Sequence, residues 1–188
     1  MLFIDEILFK TLFNLAYTNE SLGRIMVVTT NWSSKVFALI YLIGIVTLFF
    51  KNRKMLLPFI LAPATAFIGV RLIRYFYVRP RPFVALNIDS LIYHAANGSL
   101  PSMHAVSAFV IGMAIWHVNR KLGSLVLILA SITGLSRVMV GVHYPLDIIL
   151  GALIAITISK IIFKWLDSNT ITFAKSLNFP AIKFNFFY

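Results

Sequence analysis

The chain has 188 residues, of which 60% are hydrophobic and 12% charged, and its mean hydropathy is +0.88. A soluble domain carries about 45–50% apolar and about 25% charged residues, so an ordinary globular enzyme is excluded. The net charge of +11 suits cytoplasmic loops and anionic headgroups in a chain this apolar, and the absence of cysteine excludes a disulfide framework or thiolate metal site.

The excess of apolar residues falls in runs long enough to cross a hydrocarbon core. Nothing resembles a linker, a repeat or a low-complexity tract, so one compact unit is expected. Leu2 to Tyr17 is apolar but broken by Asp5, Glu6, Lys10 and Asn14. The last three recur every four residues and share a helical face, which suits a helix lying in the interface (residues 1–20) better than a crossing one. Asp5 and Glu6 stand where a signal peptide would carry a basic segment, so a cleavable signal is not expected.

Spans follow from about Asn31 to Phe50, from Met55 to about Val78 through Pro58 and Pro63, from about Ser102 to Val118, from Leu122 to about Val142 and from Leu146 to about Trp165. A loop from Arg79 to Leu100 separates the second from the third. Residues 167–188 read as a basic, aromatic tail. The expected fold is therefore all-α, a polytopic transmembrane helix bundle of five spans, or six if the N-terminal segment crosses. Lys51, Arg53, Lys54, Arg120, Lys121 and Lys164 fall on one side of this topology, which the positive-inside rule makes cytoplasmic.

Three polar clusters fall on the opposite side. The first holds Arg71, Arg74, Arg79 and Arg81 at the end of the second span. Two readings are open: arginines that snorkel to the headgroups, or guanidinium forks that grip phosphate oxygens in a geometry lysine cannot reproduce. Pro101-Ser102-Met103-His104 opens the third span, where a helix N-terminus offers free N–H groups to an anion and Ser102 can cap the helix or donate to phosphate. Many helices begin with serine, so this cluster alone is weakly specific. The third cluster is Ser136-Arg137 followed by His143 and Asp147. A carboxylate four residues from an imidazole can hold one ring nitrogen and leave the other free to attack; the bland alternative is an interfacial histidine beside a helix-start carboxylate. His117 falls at the cytoplasmic end of the third span and reads as an interface residue, while His94 lies on the site-side loop without an assigned role.

Together the clusters resemble the type 2 phosphatidic acid phosphatase superfamily. Arg74 and Arg81-Pro82 match Lys-x6-Arg-Pro with arginine for lysine, Pro101 to His104 match Pro-Ser-Gly-His with methionine for glycine, and Ser136-Arg137-x5-His143-x3-Asp147 matches without departure. Arg81-Pro82-Phe83-Val84-Ala85 and His94-Ala95-Ala96 further resemble the bacitracin-resistance type of undecaprenyl-diphosphate phosphatase. The resemblance implies a transmembrane phosphatase domain over residues 21–166 and a two-step hydrolysis. His143 would attack phosphorus, Asp147 would orient it, and His104 would protonate the leaving group and then activate water. Arg74, Arg81, Arg137 and Ser102 would hold the phosphoryl oxygens.

It further implies a lipid diphosphate as substrate, no cofactor or metal, and a multi-pass plasma-membrane protein whose site faces away from the cytoplasm. The partners expected are this substrate and membrane lipids. Neither an obligatory protein partner nor nucleic acid is expected, the positive charge being split between two membrane faces. Arg79, extra to the motif, is expected to meet the second phosphate. Phosphatidylglycerophosphate, phosphatidic acid and lipid A remain alternative substrates. A non-enzymatic lipid carrier or flippase would need interfacial arginines but not a His/Asp pair; a haloperoxidase would require vanadate and normally a soluble chain.

Overall fold

A computed structural model describes residues 3–176, with side chains described through residue 166. The described residues form α1 (Phe3–Thr18), α2 (Glu20–Lys51), α3 (Leu56–Phe76), α4 (Pro82–Ala85), α5 (Met103–Val118), α6 (Arg120–Met139) and α7 (Pro145–Ser176), with one 3₁₀ turn at Arg53–Met55. Helices α2, α3, α6 and α7 are each long and apolar enough to cross a membrane, and α5 is a shorter apolar helix. The expected all-α, polytopic helix bundle is what forms: four helices reach membrane-crossing length, and the segment expected as the third span is the shorter α5. The N-terminal segment is α1, and the expected tail overlaps the last turns of α7; its remainder, residues 177–188, lies outside the described residues.

The bundle is organised around α5, which packs on α2, α3, α6 and α7. Its buried residues, Ala105, Val106, Ala108, Val110, Ile111, Gly112, Met113 and Ala114, occupy every side of the helix. A helix apolar all round belongs in the middle of a bundle, and small side chains let neighbouring backbones approach where no hydrophobic effect drives helices together. The outer faces show the reverse of a soluble protein: Leu39, Leu42, Ile43, Val46, Leu125 and Ile128 are all exposed. In a bilayer those side chains meet lipid tails.

Helix α2 begins at Glu20, well before the apolar run the sequence marks at Asn31. Its backbone hydrogen bonds do not depend on hydropathy, so the helix continues out of the apolar zone until Asn19 caps it by accepting from Leu22 N. Asn119 performs the same service for α6, accepting from Leu122 N.

Helix α1 packs on α2, α6 and α7. It buries Asp5, Phe9, Phe13 and Ala16, one stripe at helical spacing, while Lys10 and Asn14 on the adjoining face are exposed. Phe9 and Phe13 form a satellite core with Val138 and Tyr144, and Phe9 meets the Tyr144 ring edge-on at 5.3 Å. This stripe brings α1 over the turn between α6 and α7. The turn itself depends on Gly141, whose φ of +90° a side chain rarely adopts, and where a Cβ would stand 2.9 Å from the Phe13 ring.

Candidate active site

The ends of α3, α5, α6 and α7 meet at one end of the bundle. Arg74 is in the last turn of α3, Ser102 and His104 open α5, Arg137 is in the last turn of α6, and Asp147 is in the first turn of α7. His143 sits in the α6–α7 turn, its backbone N–H donating to Arg137 O at 3.3 Å. Ser102 N donates to Asp147 O at 3.1 Å, fastening α5 to α7 at this level. Ser102, Arg81, Arg137, His143 and Asp147 are all buried; Arg74 and His104 are partly so.

His143 Nδ1 is 3.3 Å from Asp147 Oδ2 and 3.3 Å from Ser99 Oγ, and its Nε2 is 3.0 Å from Arg81 Nη1. Arginine has donors only, so the nitrogen facing it must carry the lone pair. That assigns the proton to Nδ1, facing the carboxylate, and leaves the lone pair on Nε2. Burial pushes the His143 pKa down to about 3, against the pull of the Asp147 hydrogen bond and with Arg81 adding to the depression. The ring is therefore neutral at neutral pH.

Asp147 is held from four directions. Beyond His143, its Oδ2 accepts from Ser99 Oγ and from Tyr144 N at 2.9 Å, and its Oδ1 accepts from Arg79 Nη1 at 2.9 Å. Ser99 had no motif or periodicity to mark it. It is placed by a backbone bond from its own N–H to Arg79 O at 2.8 Å.

The three arginines of the motifs stand differently. Arg81 is saturated: Nε and Nη2 donate to Asn97 Oδ1 at 3.1 and 2.8 Å, Nη2 also to Gly98 O at 3.3 Å, and Nη1 to Val142 O at 2.9 Å besides His143. Burial, with Arg74 and Arg137 nearby, lowers its pKa to about 10, so it stays charged. Arg74 places Nε and Nη2 on Pro101 O at 3.2 and 2.7 Å, clamping the segment that opens α5. Arg137 is the open one. Its Nη1 donates to Thr30 Oγ1 at 3.2 Å, while Nε and Nη2 are buried without a partner among the described residues. Buried guanidinium donors left unpaired are costly, and an oxyanion is the group that would satisfy them.

Ser102 caps α5, its Oγ accepting from Ala105 N at 3.5 Å, which leaves the hydroxyl proton available. His104 stands within electrostatic reach of Arg137, Arg81 and Arg74. It also lines a cavity of about 260 Å³ between α2, α5 and α6, with Phe37, Tyr41, Ile111 and Thr133 among the other walls. His94 reaches the edge of the site, its ring centroid 6.5 Å from that of His143. Burial and the neighbouring arginines lower its pKa, so it too tends to neutrality.

One expectation changes. Arg79 does not stand open to a second phosphate: its Nη2 is 2.6 Å from Asp5 Oδ2 and its Nη1 is on Asp147, so both ends are occupied by carboxylates. Arg71 stays apart from the site, exposed and lying over the Phe67 ring at 5.0 Å. His117, away from the site, stacks on Phe163 at 4.2 Å.

A neutral imidazole with a carboxylate on one nitrogen, a guanidinium on the other and a second guanidinium with unpaired donors nearby form an arrangement suited to phosphoryl transfer, at one end of a membrane helix bundle. The chain belongs to the PAP2 superfamily, whose sequence model matches residues 54–171. Undecaprenyl-diphosphatase BcrC of Bacillus subtilis (strain 168) is 36% identical over 163 residues, covering 85% of this chain and 83% of that one. The crystal structure of Aquifex aeolicus LpxE matches with a TM-score of 0.70 at 26% identity, covering 84% of this chain and 93% of its own. A transmembrane PAP2 type phosphatidylglycerolphosphate phosphatase from Bacillus subtilis matches with a TM-score of 0.71, over 87% of this chain and 86% of its own; at 18% identity that likeness concerns the fold alone. The chain is an integral membrane phosphatase.

Proposed function

We propose that this phosphatase hydrolyses undecaprenyl diphosphate to undecaprenyl phosphate and phosphate through a phosphohistidine on His143. The observation that carries the mechanism is the orientation of the His143 ring, with Nδ1 on Asp147 and Nε2 toward Arg81. The 36% identity to a protein named as an undecaprenyl-diphosphatase, over most of both chains, supports the substrate.

In the first step Nε2 bonds to the terminal phosphorus and the bridging P–O bond breaks, its electron pair leaving with the lipid monophosphate. Positive charge grows on the ring, and Asp147 stabilises it through Nδ1–H. His104 supplies a proton to the leaving oxygen and then takes one from the water that cleaves the P–N bond. Arg137, with Arg81, Arg74 and Ser102, offsets charge on the phosphoryl oxygens. The basic residues at the opposite end of α2 and α6 support a site facing away from the cytoplasm, in the plasma membrane. Domain limits at 1–20, 21–166 and 167–188 are proposed on the same footing.

The deciding experiment measures phosphate release by purified protein, with chelator present, from undecaprenyl diphosphate, phosphatidylglycerophosphate, phosphatidic acid and lipid A. Preference for the first, and loss of all release in His143→Gln, are the expected results. Preference for another lipid would overturn the substrate and keep the mechanism; full activity of His143→Gln would remove the mechanism.

A further inference from the structure

Asp5 stands at the start of the chain, in the first turn of α1, yet it is buried 74 residues away in sequence from its ion-pair partner. Its Oδ2 accepts from Arg79 Nη2 at 2.6 Å and its Oδ1 accepts from Leu146 N at 2.9 Å. The same guanidinium donates through Nη1 to Asp147 Oδ1 at 2.9 Å, and its Cζ lies 3.9 Å from the Tyr144 ring centroid. Two carboxylates thus share one cation, and the outer one also occupies a free N–H in the first turn of the helix that carries the inner one.

Taking the catalytic reading of His143 and Asp147 as its base, we infer that Asp5 is a positioning residue for Asp147, acting through Arg79 and through the N-terminus of α7. A buried ion pair contributes little stability against apolar packing, because the attraction is offset by desolvation. Its use here is electrostatic balance. Arg79 alone would neutralise Asp147 and draw the carboxylate away from the imidazole. Asp5 takes up half of that guanidinium, so the three groups together carry one negative charge, and Asp147 keeps a basic oxygen for Nδ1–H. Docking of α1 through Phe9 and Phe13 brings Asp5 to this place, which makes the N-terminal helix part of the catalytic apparatus.

The test uses full-length protein in detergent. Asp5→Asn is nearly isosteric and keeps an acceptor for Leu146 N, but removes the charge. It is expected to lower kcat about tenfold or more with KM within about twofold, because the phosphate-binding arginines are untouched. Asp5→Asn with Arg79→Gln removes both charges and is expected to exceed either single variant in kcat. Glu6→Gln loses the same charge from the adjacent position of α1, where Glu6 pairs with Lys10 at 2.8 Å, and is expected to match the wild type. Wild-type kcat in Asp5→Asn, or a double variant no better than the worse single, overturns the inference. If Asp5→Asn is not recovered folded, Asp5→Glu replaces it: a displaced carboxylate should lower kcat about threefold with KM unchanged, and wild-type kcat overturns the inference equally. Wild type and His143→Gln run alongside, so an inactive wild type or an active His143→Gln marks failure of the underlying mechanism instead.

Discussion

Arg81 Nη1 donates to His143 Nε2 across 3.0 Å, so the nitrogen proposed as nucleophile rests against a guanidinium. Arg81 has every N–H engaged in this state, whereas Arg137 has buried donors to spare. An arriving phosphoryl group would satisfy Arg137 first and take the Arg81 donor from His143 as it enters. The lone pair would thereby be released as the proposed electrophile enters.

In the proposed mechanism Asp147, by holding the proton on Nδ1, decides which nitrogen attacks. Asp147→Asn can turn its amide NH₂ toward Nδ1 and favour the wrong tautomer. The expected loss is about 10²–10⁴-fold in the rate of phosphohistidine formation, with little change in KM. Rapid-quench measurement of the phosphoenzyme checks it; a loss confined to KM would contradict the assignment.

Arg137→Lys keeps the charge and loses the fork. Because the unpaired Nε and Nη2 are donors poised for an oxyanion, transition-state mimicry should suffer more than substrate binding. Inhibition by orthovanadate should weaken about 10²-fold, with KM rising less. Equal changes in both would mean that Arg137 binds substrate and transition state alike.

His104→Gln separates leaving groups. A lipid monophosphate leaves as a stable anion and asks little of a general acid, whereas the alkoxide leaving from phosphatidic acid needs a proton. The burst rate should fall about 10²–10⁴-fold for the monoester and clearly less for the diphosphate. Steady-state turnover should fall for both, since water attack needs the base in either case. Equal burst losses would argue against His104 as the acid.

The depressed His143 pKa has a sign in stability. The unfolded chain binds a proton at this residue near the ordinary histidine value of about 6.5, the folded one only near 3. Between these values the unfolded state holds more protons, so stability is fully present above about pH 6.5 and is lost as pH falls toward 3. The slope is at most about 1.4 kcal/mol per pH unit. Thermal unfolding in detergent should show the wild type losing more Tm between pH 7 and pH 5 than His143→Gln; parallel curves would show that the ring is not held neutral.

The covalent order of the chain determined much of this protein. Apolar runs of membrane length announce the helices whatever their neighbours, because a backbone in lipid must bond within its own segment. The spacing of Ser136-Arg137, His143 and Asp147 is local enough that a helix end and one turn bring them together. Tertiary structure decided the rest. Ser99, Asn97, Thr30 and Asp5 bond Asp147, Arg81, Arg137 and Arg79 across separations of 16 to 107 positions, and no periodicity encodes such partners. Asp5 did leave a trace, heading the stripe of Phe9, Phe13 and Ala16 that α1 buries. A stripe tells which face is covered; only the packing of α1 over the α6–α7 turn tells what lies beneath it. The division between Arg79, occupied by carboxylates, and Arg137, left open, has the same origin: one cation type serves balance or binding according to the charges that folding sets beside it.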